Sequence, residues 1–286
     1  MKPNIIWISS YPKSGNTMVR LFLSAYFFTQ DGKLNNFDPL KKITNFSDIR
    51  LFNKIDNFPN ITNLIEKPEL ITKFWEPMQK ILIKENEKIF FFKTHNACIN
   101  YNSYIFTSNL FTKAFVYVVR DPRSVLVSMI PHFGFKDLNQ SKEYLISDKH
   151  ITYVTGNILP ELLLSWKTNY GTWKKFKESD NDLGLMIKYE DMIQNKNDTF
   201  VKILNFICKK LSISVDGKKL QNAIDSIEFI SLQKMEKEKE FMEKSKYAKN
   251  FFRKGVINEW KENVPSEIIE KIENEFYNEM LELKYL

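Results

Sequence analysis

The stretch Ile5-Ile6-Trp7-Ile8-Ser9-Ser10-Tyr11-Pro12-Lys13-Ser14-Gly15-Asn16-Thr17 decides how this chain is read. Its bulky apolar start predicts a buried β-strand, and Pro12 with Gly15 predicts the tight turn that ends it. From Thr17 onward Met18, Leu21, Phe22, Ala25 and Tyr26 recur at helical spacing, so a helix follows. A strand–loop–helix of this kind points several backbone N–H groups at one spot, at the positive end of the helix dipole. That makes an anion site, to which Lys13 adds a full charge and Ser14 and Thr17 add hydroxyl donors. In a nucleoside-triphosphate P-loop, G-x-x-x-x-G-K-[ST], the lysine follows the second glycine. Here Lys13 precedes Gly15 and no glycine opens the loop. Taken alone, the loop is also compatible with an ordinary turn that happens to carry a Lys and a Gly.

Working outward, two further apolar runs read as buried strands with polar ends. Residues 89–92 run into Lys93-Thr94-His95, and residues 114–119 run into Arg120-Asp121-Pro122-Arg123. A helix is expected through Val125, Leu126, Val127 and Met129, stopping near Pro131. Helical periodicity is also read over 70–85, 160–177, 191–211, 216–247 and 265–283, with a strand over 183–188. Residues 31–70, broken by Pro39, Pro59 and Pro68, predict short helices and loops. Alternating strands and helices predict an α/β fold with a central, mainly parallel sheet flanked by helices. In such sheets ligands bind beyond the carboxyl ends of the strands, where these basic, hydroxyl and imidazole groups lie.

The 286 residues suit one large domain, 1–286, since no linker, low-complexity segment or repeat divides them. The net charge of +7 comes mostly from scattered lysines, with five arginines in all, Arg20, Arg50, Arg120, Arg123 and Arg253. That scatter argues against nucleic acid as a partner and leaves a surface that attracts small anions. Cys98 and Cys208 are too few for a disulfide framework or zinc site, so a reducing compartment is expected. No signal peptide is read at the start. The apolar stretch 18–28 is short and holds Arg20, so no membrane span is expected. A soluble, cytoplasmic protein follows from these readings.

The order of residues in the opening loop resembles the YPKSGTTW phosphosulfate loop of the cytosolic-type sulfotransferases, with Asn16 and Met18 where that family usually has Thr and Trp. Lys93-Thr94-His95 resembles the family's K-T-H segment. The run from Val116 to Ser128 is similar to its second nucleotide motif. Arg120 and Ser128 lie eight residues apart, a spacing that lets a loop Arg and a helix Ser meet one anion. Asn250-Phe251-Phe252-Arg253-Lys254-Gly255-Val256-Ile257-Asn258-Glu259-Trp260-Lys261 looks like the family's R-K-G-x-x-G-D-W-K segment, with Asn258 for Gly and Glu259 for Asp. Tyr189-Glu190-Asp191 and, more faintly, Ile230, Ser231 and Met235 resemble segments at the adenine.

The resemblance implies a sulfotransferase domain that moves a sulfuryl group from 3′-phosphoadenosine 5′-phosphosulfate to a hydroxyl or amine of a small-molecule acceptor, releasing adenosine 3′,5′-bisphosphate. It implies His95 as general base, with Lys13 and Lys93 stabilising charge on the transferred group and leaving oxygen. Lys13, Ser14, Gly15, Asn16, Thr17 and Met18 would hold the 5′ end of the donor. Arg120, Ser128, Arg253, Lys254 and Gly255 would hold its 3′-phosphate, Tyr189 its base, and Phe251 is a further donor-binding residue. No metal is implied. A P-loop-like small-molecule or nucleotide kinase, or a nucleotide-binding protein without catalysis, is the alternative. The kinase calls for a Lys-[ST] pair after the loop's final glycine and an acidic Mg²⁺ ligand at a strand end, and this sequence has neither at the expected place. Residues 31–90, 96–110 and 131–160, rich in Phe, Tyr and Ile, would choose the acceptor. His132, just past the Arg120–Ser128 run, is a candidate to line its pocket.

Overall fold

The computed structural model describes residues 2–85, 88–239 and 241–286. Asn86 and Glu87, within the 31–90 stretch, and Glu240, within the expected helix 216–247, lie outside the described residues. Strands β1 (Ile5–Ser10), β2 (Thr44–Asn45), β3 (Phe90–Thr94), β6 (Thr112–Val119) and β7 (Gly184–Lys188) form one sheet, in the order β2-β3-β1-β6-β7. A second, two-stranded antiparallel sheet joins β4 (Asn100–Tyr101) and β5 (Tyr104–Ile105). The helices are α1 (Asn16–Phe28), α2 (Ile49–Phe52), α3 (Ile61–Glu66), α4 (Thr72–Leu82), α5 (Pro122–Phe133), α6 (Leu138–Ile146), α7 (Trp166–Ser179), α8 (Tyr189–Gln194), α9 (Lys196–Leu211), α10 (Gly217–Ser226), α11 (Phe229–Glu238), α12 (Trp260–Asn263), α13 (Ser266–Glu275) and α14 (Tyr277–Glu282).

This is the expected α/β architecture, a parallel central sheet flanked by helices. β3 pairs in parallel with β1, Ile5 opposite Phe90 through Ser9 opposite Thr94, and with β2, Thr44 opposite Phe92. All six residues of β1 are buried, as a central strand with neighbours on both edges requires. By its contacts the chain divides into two compact units, each discontinuous in sequence. One comprises Met1–Tyr11, Ile43–Tyr117 and Asp148–Met186, and the other Pro12–Lys42, Val118–Ser147 and Ile187–Leu286. The first is built around Trp7, which meets Phe46 edge-on at 4.9 Å and Phe106 at 5.2 Å. The Trp7 indole N–H donates to Thr112 Oγ1 at 3.0 Å, so its polar edge is not stranded in that core. In the second unit Phe22 of α1 packs on Phe200 of α9 at 4.7 Å, and the Asp216 amide donates to the Tyr26 hydroxyl.

Several element boundaries differ from those expected. α5 runs past Pro131 to Phe133 and ends where Gly134, at φ 71°, turns left-handed and donates to the Ile130 carbonyl. The 160–177 helix begins at Trp166, because Ser165 caps it by accepting from the Thr168 amide. The 191–211 helix is two helices that meet at Asn195, the 265–283 helix is two that meet at Phe276, and 216–247 divides into α10, α11 and turns. β2, the β4–β5 hairpin and α6 carry too few periodic residues to be read from the sequence.

Candidate active site

In the second unit the opening loop adopts a backbone that side chains rarely accept. Lys13 has φ 64° and Gly15 φ 103°, so left-handed residues flank Ser14. Successive turns of this kind aim backbone N–H groups inward as an anion-binding nest, and α1 starts at the next residue. Gly15 is required twice over, for its φ and for space. A Cβ there would sit 2.7 Å from a Tyr189 ring carbon and 2.8 Å from the Met192 methyl. Ser14 is fully buried, and its hydroxyl has no hydrogen-bond partner among the described residues. A buried hydroxyl left unmatched at a nest fits an oxyanion.

The same unit gathers other expected donor ligands around the loop. Arg120, 8 % exposed, donates from Nη1 to the Lys13 carbonyl at 3.0 Å and lies 4.1 Å over the Tyr189 ring. Lys13 Nζ lies 4.8 Å from the centre of the Phe251 ring. Burial pushes the Tyr189 phenol above its ordinary range, against the pull of the Arg120 charge. Ser128 is half-buried on α5, six residues past its start and so about 9 Å along the axis. Met18 and Thr17 are half-buried and Asn16 is buried on the first turn of α1.

The structure separates the roles of the neighbouring arginines. Arg123 is a structural clamp. It grips Asp121, which caps α5, donates to Glu273 and to the Tyr285 carbonyl, and stacks on Trp260 at 3.8 Å. Arg253 holds Glu259 through two 2.5 Å contacts, and Lys254 reaches the same carboxylate at 3.0 Å. Burial works to raise the Glu259 carboxyl, but these two cations outweigh it and hold it below its usual range. Gly255 takes φ 64°, and a Cβ on it would press on the Phe229 ring.

Sequence reasoning missed Glu243. Thr17 Oγ1 donates to it at 3.3 Å and Arg20 Nη1 at 2.7 Å, a contact that spans 226 and 223 positions of the chain. His132 packs edge-on against its neighbour Phe133, ring centres 4.7 Å apart.

In the first unit β3 delivers Lys93 and His95. Ser9 pairs with Thr94, so the next residues, Ser10 and His95, emerge side by side from the sheet. His95 Nδ1 lies 2.7 Å from the Ser10 carbonyl oxygen and 3.3 Å from its hydroxyl. A carbonyl only accepts, so Nδ1 carries a proton, and in the neutral ring the lone pair is then on Nε2. The His95 backbone is held as well, its N–H by Glu161 at 3.0 Å and its carbonyl by the Asn169 amide at 2.9 Å. Neither Glu161 nor Asn169 belongs to a motif that marks it in the sequence.

These features define a P-loop-like α/β protein with a basic loop and a positioned imidazole at its strand ends. Residues 3–284 match the model of the Sulfotransferase domain, and the chain belongs to that family of transferase enzymes. It is 25% identical to mouse Sulfotransferase 1 family member D1 over 98% of this chain and 84% of that protein. It is 24% identical to Flavonol 3-sulfotransferase of Flaveria bidentis over 95% of this chain and 80% of that one. Rat Sulfotransferase 2A1 is 28% identical over 62% of this chain, and the match spans only 61% of that relative. Among solved structures, mouse sulfotransferase SULT7A1 complexed with PAP superposes with a TM-score of 0.60 at 18% identity, covering 98% of this chain and 84% of the other. Retinol dehydratase with androsterone and inactive cofactor PAP also gives 0.60, at 16% identity over 98% and 81%. No helix among the described residues is long and apolar enough to cross a membrane.

Proposed function

We propose that residues 1–286 work as one sulfotransferase domain, in the cytoplasm, moving a sulfuryl group from 3′-phosphoadenosine 5′-phosphosulfate to a hydroxyl or amine of a small molecule. The observation that carries this reading is the loop itself. Its Lys13 and Gly15 are both left-handed, and between them lies a fully buried Ser14 hydroxyl that lacks a partner among the described residues. That constellation fits the phosphate end of the donor. Ser14, Gly15, Asn16, Thr17 and Met18 would cradle it. Arg120, Ser128, Arg253, Lys254 and Gly255 would hold the 3′-phosphate, Tyr189 the base, and Phe251 would line the donor site beside Lys13. When bound, the donor supplies the sulfuryl group and a bisphosphate leaving group.

The chain's own residues supply positioning and charge. His95 Nε2 takes the proton of the acceptor, because Nδ1 is committed to the Ser10 carbonyl. The Lys13 ammonium stabilises negative charge on the bridging oxygen, and Lys93 assists at the transferred group. Nothing in this scheme calls for a metal. Acceptor choice belongs to residues 31–90, 96–110 and 131–160, whose aromatic content suits an apolar or aromatic molecule.

A thermal-shift comparison tests the donor. Adenosine 3′,5′-bisphosphate at a hundred times its Kd should stabilise the protein by about 2.7 kcal/mol. Stabilisation by Mg-ATP with none by the bisphosphate would overturn the reading in favour of a kinase. With labelled donor and a panel of alcohols, phenols and amines, His95→Ala should lower kcat by roughly 10²–10⁴-fold. Its bisphosphate affinity should stay near that of the parent.

A further inference from the structure

Glu161 is a buried carboxylate of the first unit that the proposed chemistry leaves without a task. It is 5 % exposed, on the chain just before α7. Its Oε1 accepts the His95 backbone N–H at 3.0 Å, and the Ser47 and Asn45 side chains hydrogen-bond to the same carboxylate. Asn45 ends β2 and Ser47 follows it, while Lys93 and His95 sit at the end of β3. One carboxylate therefore gathers the ends of two neighbouring parallel strands. Burial raises the Glu161 carboxyl, and the positive charge of Lys93, the next largest influence, works to lower it. Its own backbone is pinned, with Glu161 N–H donating to Thr152 Oγ1 at 2.8 Å and the Thr152 N–H donating back to the Glu161 carbonyl at 2.9 Å. A buried acidic side chain bound from two strands is costly to retain for packing alone.

We infer that Glu161 is a positioning residue of the transfer reaction. Its carboxylate fixes the backbone of His95, so that the imidazole keeps Nδ1–H on the Ser10 carbonyl and presents Nε2 as the base. It also provides the fixed negative charge that faces Lys93. This rests on the reading of His95 as base. Asn169, which grips the His95 carbonyl and is itself fixed by the Tyr117 hydroxyl at 2.9 Å, completes the clamp from the other side.

The test reads His95 directly. The chain has three histidines, so the ring-nitrogen signals of His95 in ¹⁵N-histidine-labelled protein are assigned by their loss in His95→Ala. The parent should show the Nδ1–H tautomer. Glu161→Leu should shift His95 toward the Nε2–H form that a free imidazole prefers. Glu161→Gln, which keeps an acceptor oxygen, should stay close to the parent. With an acceptor in hand, Glu161→Leu should lose at least tenfold in kcat with donor KM within about twofold. An unchanged His95 spectrum in Glu161→Leu would overturn the inference. If that variant does not fold, the parent itself answers. The His95 backbone amide should shift with the same midpoint as the Glu161 carboxyl, and an amide that ignores it overturns the inference. Full turnover by His95→Ala, with the expected signatures in the parent, would remove the base assignment and the catalytic part of the inference, and leave the Glu161 hold on His95 standing.

Discussion

At Asn258 the backbone takes φ 61°, and its carbonyl accepts from the Lys261 amide at 3.1 Å to start the turn into α12. The R-K-G-x-x-G-D-W-K segment that this stretch resembles has glycine at this place, and the reason is physical. The position needs a left-handed residue, which Gly adopts freely and Asn tolerates better than other side chains. The exchange therefore leaves the Arg253-Lys254-Gly255 turn intact. Asn258→Gly should change stability by only a few tenths of a kcal/mol, whereas Asn258→Val should cost about 1–2 kcal/mol, read from urea unfolding curves. An equal effect of both variants would show that the turn does not depend on φ at this site. Lys13 poses the same problem without glycine's freedom. Its φ of 64° is a strain that a loop tolerates where the conformation itself is useful.

On the scale of elements, α5 shows a helix terminus set by its cap and not by its proline. Pro131 has no N–H to offer the Val127 carbonyl and would ordinarily end a helix. The helix still continues for two residues. The Gly134 amide at 2.9 Å and the Phe135 amide at 3.1 Å both return to the Ile130 carbonyl and close the last turn. Pro131→Ala should restore one helix bond and stabilise the protein by about 1 kcal/mol. That is less than the ~3 kcal/mol interior difference, because the proline also restrains the unfolded chain. Thermal melts in the presence and absence of bisphosphate measure it, and a fall in Tm would mean that the proline ring packs usefully. The splitting of the long helical readings follows the same logic. Periodicity continues across Asn195 and Phe276, but the backbone leaves the helical region there, at φ −123°, ψ 50° and φ −115°, ψ 23°.

For the whole molecule, pH dependence has a clear signature in His150. Burial lowers its pKa from 6.5 to about 4. The unfolded chain therefore takes up a proton near pH 6.5 that the folded protein refuses until about pH 4. The stabilisation is fully present above pH 6.5 and is lost as pH falls toward 4. Asp48, Asp148 and Glu259, held below their ordinary values, lose their contributions as pH falls below those values, 3.8 for the aspartates and 4.5 for Glu259. The Glu161 and Glu190 carboxyls, raised by burial, work the other way as pH falls, so the His150 contribution is read as a difference: Tm of the parent relative to His150→Gln should decline between pH 6.5 and 4. An identical slope in the variant would place the proton uptake elsewhere.

Much of the fold was legible because it rests on local pattern. The buried run of β1, the turn forced by Pro12 and Gly15, the helical spacing after Thr17 and the polar ends of β3 and β6 are each written within a dozen residues. The expected donor ligands Lys13, Gly15, Arg120, Tyr189 and Phe251 do gather within one unit, and Lys93 with His95 at the end of β3. The partners that tune them were not legible. Glu161 meets His95 across 66 residues, Glu243 meets Thr17 across 226, and Arg123 is diverted to Asp121 and Glu273 although it stands beside Arg120 in the same motif. By itself the sequence determined which residue types stand at each strand end, since periodicity and turn chemistry are short-range. Only the tertiary structure decided what His95 Nδ1 meets, what Glu161 holds and which arginine meets the Lys13 loop. Those depend on parallel strand register and on removal from water, and both are set by contacts between residues far apart in the chain.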